Sequence, residues 1–317
     1  MTVRTSGADS ILVLGAGELG MAILKAFSRL RGASREPRLT VLVRPTNSNA
    51  RASGGKSRNR ELESLGVEIL RADLVSERMD QLATFFAPFD TVVCCTGFVG
   101  GPGTQRKITQ AVLDAQVRRY VPWQFGVDYD TVGRGSGQDL WDEQLDVRVI
   151  LRAQSRTEWT IVSTGIFTSF LFLPAFGIVD LPKRTVHALG SWDYQITVTT
   201  PEDIGELTAA ILAFNPQIDG IVRIAGDTLS YRDLADITEQ VTGLKLARVL
   251  WTEAELFSAA AQHPEDEMRK YRLAFARPTG VSWPKAQSFN GQHGIEVTDV
   301  SLWLRANAHN VAGIEGS

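Results

Sequence analysis

Short aliphatic runs alternate with segments of helical periodicity through the first half of the chain. SILVLG (10–15) precedes a helical pattern from about Leu19 to Arg31, and LTVLVR (39–44) is followed by one near Arg60–Leu65. VEILRAD (67–73), a short helix over Met79–Phe86 and DTVVCCTG (90–97) continue the alternation. A helix across Thr104–Gln116, RYVPW (119–123), a helix over Leu140–Ser155 and WTIVSTG (159–165) complete it. Strands that are apolar throughout, rich in Val and Ile and spaced by helices, pair in parallel beneath helices on both faces. The expected fold is α/β, a Rossmann-type doubly wound parallel sheet.

Beyond Gly165 the pattern loosens. IFTSFLFLPAFGIVD is aromatic and irregular, and ITVTTPEDIGELTAAILA reads as a short strand and a helix. Pro201 suits the first helical turn, and Glu202 and Asp203 suit the positive end of the helix dipole. GIVRIAG is another strand, and SYRDLADITEQVTG a helix capped by Ser230 and stopped by Gly243. NSNARASGGKSRNR reads as a polar, basic loop. The expected organisation is a nucleotide-binding Rossmann domain over 1–165, with a flexible tail over 1–9. A smaller substrate-binding portion covers 166–317. The boundary is discontinuous, because strand 219–226 can join the edge of the main sheet.

Composition narrows the classes of function. The 317 residues carry a formal net charge of -3, with 44% hydrophobic and 22% charged residues, as expected of a soluble globular protein. That charge gives no global drive toward nucleic acid or an anionic membrane. No apolar run reaches the roughly 18 residues of a membrane span. The two cysteines, Cys94 and Cys95, are adjacent in a strand, where their side chains point to opposite faces. Neither a structural disulfide nor a metal site is expected, and a reducing, cytoplasmic setting fits. His187, His263, His293 and His309 lack the spacing of a zinc site.

The first chemical motif is LGAGELG, which sets Gly15, Gly17 and Gly20 in GxGxxG spacing between the first strand and the first helix. Gly15 allows the tight turn, Gly17 lets backbone approach a pyrophosphate, and Gly20 allows close packing of helix on strand. Glu18 and Leu19 open the helix, whose N-terminal N–H groups and dipole attract an anion. The second strand then selects the dinucleotide. An Asp or Glu at its end binds a ribose 2'-hydroxyl, whereas arginine accommodates a 2'-phosphate. Here Arg44 comes first, with no acid before Glu61, and Arg51, Lys56, Arg58 and Arg60 follow. The later charges read as a solvated loop, but Arg44 selects NADPH/NADP+. Thr96, Gly97 and Phe98, at the end of the fourth strand, are further cofactor-binding candidates.

VPWQFGVDYD (121–130) places bulky aromatics and an amide at a strand end, the composition of a pocket wall. Trp123 is a candidate for both cofactor and substrate contact. Phe125, Asp128, Phe167 and Phe170 are substrate-binding candidates for a flat aromatic or polycyclic ligand. The bland alternative for each ring is hydrophobic core, and for Asp128 an exposed acidic loop. Gln124 and Tyr129 are candidate catalytic groups.

Taken in order, LVLGAGELG, LVR, VPWQFGVDYD, STGIF and VTTPEDIGELTAAIL resemble the NmrA-like family, close to its isoflavone reductase-like branch of atypical short-chain dehydrogenases and to fungal secondary-metabolism members. The resemblance covers roughly residues 10–245. It implies a Rossmann core with NADPH, a substrate cleft under the C-terminal portion, and reduction of aromatic or polyketide-like metabolites. It implies cofactor sensing without turnover in regulatory members. Where the family has a Pro-Ser-Glu-Phe-Gly-like segment this chain has Pro-Trp-Gln-Phe-Gly, and the family's catalytic lysine aligns with Gln144. No lysine lies between Lys107 and Lys183, and no Tyr-x-x-x-Lys pair exists. A glutamine can donate a hydrogen bond but cannot deliver a proton at neutral pH. Three readings stay open: an NADPH-dependent reductase of an electrophile needing little acid help, a redox-neutral cyclisation or rearrangement assisted by the cofactor, and an NADP(H) sensor. The oligomeric state is not legible.

Overall fold

The aliphatic runs pair as the periodicity predicts. The computed structural model describes residues 9–30, 37–45, 53–98 and 100–311. The 1–8 part of the expected tail, Arg31 and Arg51 lie outside them. The first half contains β1 (Ser10–Leu14), α1 (Glu18–Arg29), β2 (Arg38–Val43), α2 (Ser53–Ser64), β3 (Glu68–Arg71) and α3 (Met79–Phe86). It continues through β4 (Thr91–Cys94), α4 (Thr104–Asp114), β5 (Arg119–Val121), α5 (Tyr129–Val132), α6 (Asp139–Arg152) and β6 (Glu158–Ser163). Next come β7 (Ile166–Phe167), β8 (Val179–Asp180), β9 (Thr185–Leu189), β10 (Gln195–Thr199), α7 (Pro201–Ala213) and β11 (Gly220–Arg223). The last are β12 (Asp227–Ser230), α8 (Tyr231–Thr242), β13 (Ala247–Trp251), α9 (Glu253–Gln262), α10 (Glu267–Phe275), α11 (Phe289–Gln292) and α12 (Val300–Val311).

The main sheet has seven strands in the order β3-β2-β1-β4-β5-β6-β11, with parallel pairing from β3 across to β6. The order reverses between β1 and β4, which opens the crevice beyond their carboxyl ends where doubly wound folds bind ligands. Every residue of β1 and β4 is buried, the signature of strands covered on both faces. One core cluster joins Leu12, Leu14, Leu42, Val92 and Ile161 to Leu82, Phe86 and Ile108.

The described chain divides into two compact units that interleave in sequence. One comprises residues 1–124, 146–161 and 204–221, the other 125–145, 162–203 and 222–317. The VPWQFGVDYD segment is split after Gln124, and α7 runs mostly with the first unit. The stretch after Gly165 is more ordered than its composition suggests. It builds two three-stranded sheets, ordered β12-β10-β7 and β13-β9-β8. Helix α8 starts and stops as its sequence requires. Ser230 accepts the Asp233 N–H, the Asp233 carboxylate reaches back to Ser230, and Gly243 ends the helix in the left-handed region.

The expected basic loop before Glu61 is corrected from Ser53 onward, its residues 47–52 lying outside the described ones. Residues from Ser53 onward form α2, because Leu62 is fully buried and anchors a segment whose Gly-Gly pair argues for a turn. Strand β4 stops at Cys94, three residues short of the expected end, where Gly97 turns the chain at φ 62°.

Gly205 of α7 lies so close to α1 that a Cβ there would meet the Ala22 backbone at 2.7 Å. Propensity alone favours Gly205→Ala by about 1 kcal/mol, whereas forced separation of packed backbones costs about 1–3 kcal/mol. The packing term wins, so Gly205→Ala is expected to lower stability in a urea melt. A rise in the midpoint would contradict this packing.

Candidate active site

The turn from β1 into α1 shows why three glycines are needed. Gly15 has φ 94°, and its N–H donates to the Leu42 carbonyl at 2.9 Å, tying the turn to β2. A Cβ on Gly20 would overlap the Gly15 carbonyl oxygen, so helix and turn approach as only glycine permits. Gly17 is different. It is the N-cap of α1 in extended geometry, it is exposed, and a Cβ there would meet nothing within 4 Å. Glu18 beside it is exposed, while the Leu19 side chain is buried, leaving Leu19 only its backbone for a ligand. An open space in front of the N-terminus of α1 fits the pyrophosphate of a dinucleotide.

Arg44 emerges exposed just past β2. Its guanidinium Nε lies 3.9 Å from Asp73 Oδ1, a long and solvated pair that leaves the side chain available. The Val75 N–H, 3.0 Å from Asp73, holds that carboxyl below its ordinary range, and Arg44 adds to the effect. Past β4, Thr96, Gly97 and Phe98 stand half-buried. A Cβ on Gly15 would lie 3.2 Å from Thr96 Cγ2, so the two strand ends flanking the crevice are in direct apposition. Gln105, buried in α4, donates to the Gly97 carbonyl and fixes this turn, a role that nothing in its sequence context signals.

Past β5, Trp123 is half-buried and meets Phe98 edge-on, with ring centroids 6.3 Å apart and planes at 85°. Its indole also lies close over Gly97, 3.5 Å from where a Cβ would stand. Gln124 is fully buried and accepts a 2.8 Å hydrogen bond from Arg148 Nε, itself fully buried. Arg148 is a functional candidate absent from the residues singled out in the sequence; it lies one helical turn beyond Gln144 on α6.

In the second unit, the Gly126 carbonyl accepts the Thr164 and Gly165 N–H groups at 2.9 and 3.0 Å. The Thr164 carbonyl in turn accepts from Thr199 Oγ1 at 2.8 Å. Phe125 and Tyr129 are buried, Tyr129 edge-on to Trp141 at 5.8 Å with its hydroxyl against Gly126. Gln144 is fully buried in α6, and Phe167 is half-buried in β7. One expectation changes. Asp128 is not on an exposed acidic loop: it is buried, 2.6 Å from Arg223 and accepting from Thr131 Oγ1 at 2.9 Å. Its charge is committed to holding α5. Phe170 packs against Phe176 at 5.0 Å and Tyr271 at 6.0 Å, so its ring takes part in an aromatic cluster.

Burial pushes both cysteine thiols up, Cys95 strongly, so neither supplies a thiolate at neutral pH. Among the described residues no group of His, Cys, Asp and Glu could hold a metal ion, and no helix is long and apolar enough to cross a membrane.

The sequence matches the NmrA-like family over residues 7–296. The chain belongs to the NmrA-like family. An NmrA-like family domain-containing oxidoreductase of Gibberella moniliformis is 43% identical to it over 300 residues, spanning 94% of this chain and 97% of that protein. A crystal structure of isoflavone reductase superposes with TM-score 0.76 at 20% identity, covering 94% of this chain and 99% of its own. AtPrR2 with NADP+ and (+)pinoresinol superposes with TM-score 0.74 at 18% identity, covering 95% and 99%. At these identities the two structures establish a shared fold.

The three glycines of this NmrA-like protein separate two roles. Gly17→Ala should change stability by less than about 1 kcal/mol yet weaken NADPH binding about tenfold or more, because the methyl group enters the ligand space. Paired thermal melts and calorimetric titrations check this. Unchanged NADPH affinity would place the pyrophosphate elsewhere.

Proposed function

We propose that this NmrA-like protein is an NADPH-dependent oxidoreductase acting on an aromatic, alkaloid or polyketide-like secondary metabolite without the lysine that the family's reductases use. The observation that carries the reading is the open cradle at Gly17, in front of α1 and beside the switch point of the sheet. The residues present fit a dinucleotide there: backbone N–H groups of Gly17, Glu18 and Leu19 for the pyrophosphate, and exposed Arg44 for the 2'-phosphate. Trp123 and Phe98 offer apolar surface past the neighbouring strand ends for the nicotinamide side. NADPH, when bound, supplies the hydride. The 43% identical oxidoreductase supports redox chemistry, and the AtPrR2 complex with NADP+ and (+)pinoresinol, which shares the fold, supports the cofactor and an aromatic partner.

Around the hydride path the chain's amides position rather than protonate. Arg148 fixes the Gln124 amide, and Gln144 presents an amide where the family's reductases have an ammonium group. Positioning alone can lower a barrier by roughly 7–11 kcal/mol in the best cases, which suits an acceptor such as an iminium or an activated enone. Trp123, Phe125 and Phe167 are the substrate-binding candidates, and Tyr129, buried against Gly126 and Trp141, is the remaining candidate proton donor. The neutral amide at Gln144 also favours a second reading, a redox-neutral cyclisation in which hydride is lent and returned. The free, buried cysteines suit a cytoplasmic setting.

The reading is tested at Arg44. Arg44→Glu should weaken NADPH binding by one or more factors of ten, each about 1.4 kcal/mol, and spare NADH. Calorimetry with both cofactors decides it. Equal losses for the two, or tighter native binding of NADH, would overturn the cofactor assignment.

A further inference from the structure

We propose that strand β13 is a dimerisation edge, at which a second copy of this chain adds its own β13 antiparallel across a two-fold axis. β13 closes one side of the β13-β9-β8 sheet, pairing in parallel with β9 alone. Residues 247 to 250 are exposed, Val249 at 36% and Leu250 at 39%, so apolar surface flanks the open edge. Native proteins usually blunt such an edge with a free charge, a proline or a covering element. Here the only charge on the strand is committed elsewhere: Arg248 bonds Asp236 and Glu239 of its own chain.

The backbone shows which groups are left over. Ala247 donates its N–H to Arg184 of the β9 side, and the Trp251 carbonyl accepts from Gly190. Residues 247, 249 and 251 therefore face β9, and the alternation of a strand turns Arg248 and Leu250 toward the open edge. The next N–H groups in that alternation are capped from within the chain, Leu246 by Glu239 Oε1 at 2.9 Å and Thr252 by Glu255 Oε2 at 2.8 Å. Among the described residues neither the Arg248 nor the Leu250 N–H has a partner. The strand is also held rigid from behind, since Trp251 stacks on His187 at 4.0 Å and lies under the Arg272 guanidinium.

This arrangement is self-complementary. An antiparallel pair exchanges hydrogen bonds between residues that both face the partner. A two-fold axis at Val249 sets Arg248 of each copy opposite Leu250 of the other, which meets that condition for both pairs at once. The two Val249 side chains meet at the axis, as an isologous contact requires. The same register brings Lys245, 95% exposed and only 3.7 Å from Glu239 in a solvated pair, to the level of Glu253 of the second copy on either side of the axis, where one Glu253 oxygen accepts from the Tyr194 hydroxyl. Opposite charges meet where any parallel or shifted pairing leaves them apart. A heterologous extended peptide could use the same N–H groups, but it has no counterpart for this charge register.

Sedimentation velocity over a concentration series tests the proposal on the full chain. The native protein should dimerise, with Arg248 and Leu250 amides slow to exchange at high concentration and fast on dilution. Val249→Lys places two ammonium groups together at the axis and should raise the dissociation constant at least tenfold, while the melting temperature of the diluted, monomeric protein stays unchanged. Lys245→Glu alone should weaken the dimer, and Lys245→Glu with Glu253→Lys should restore it. Native protein that stays monomeric at high concentration overturns the proposal. So does a dimer unchanged by Val249→Lys, or one the double reversal leaves weakened. The charge-reversal pair keeps the test decisive if Val249→Lys does not fold.

Discussion

The close approach of α1 to the end of β1 is the contact on which the nucleotide side of this protein depends. A single missing Cβ at Gly20 lets the helix settle onto the Gly15 carbonyl, and Gly15 turns sharply enough to bond Leu42 of the neighbouring strand. From that contact follow the direction of the helix dipole, the open space in front of Gly17, and the apposition of Gly15 with Thr96 across the switch point. None of these needs a charged side chain. In the proposed reading the backbone makes the anion site, and Arg44 favours the dinucleotide that carries a 2'-phosphate.

A second constraint organises the other unit. The Gly126 carbonyl receives two N–H groups from Thr164 and Gly165, and Thr164 passes the connection to Thr199. Three stretches far apart in sequence, VPWQFGVDYD, STGIF and VTTPEDIGEL, are thereby one hydrogen-bonded structure. Their order along the chain carried the family resemblance, and their bonding explains why they occur together. Asp128 belongs to the same segment, and its ion pair with Arg223 anchors the segment's far end.

The strands, the glycine turn and the caps of α8 were legible because each rests on local chemistry: apolar runs, glycine where a Cβ cannot fit, and a Ser-x-x-Asp start. What was not legible rests on tertiary contact. Leu62 turns a glycine-containing polar stretch into α2, and Arg223, distant in sequence, converts Asp128 from a surface acid into a buried partner. Gln105 holds the Gly97 turn through one carbonyl bond that no motif announces. The aromatics divided along the same line. Trp123 and Phe98 stand at strand ends, where position speaks, while Phe170 joins a cluster with Phe176 and Tyr271 that only the folded chain assembles.

In the proposed reading the dinucleotide at Gly17 and Arg44 is a reactant that gives up its hydride to the acceptor. The most direct measurement uses NADPH deuterated at the nicotinamide C4, incubated with the native protein and a panel of aromatic iminium and enone acceptors. Deuterium in the product and one NADP+ formed for each product molecule are expected. Product free of label, formed while NADPH stays reduced, would contradict that reading.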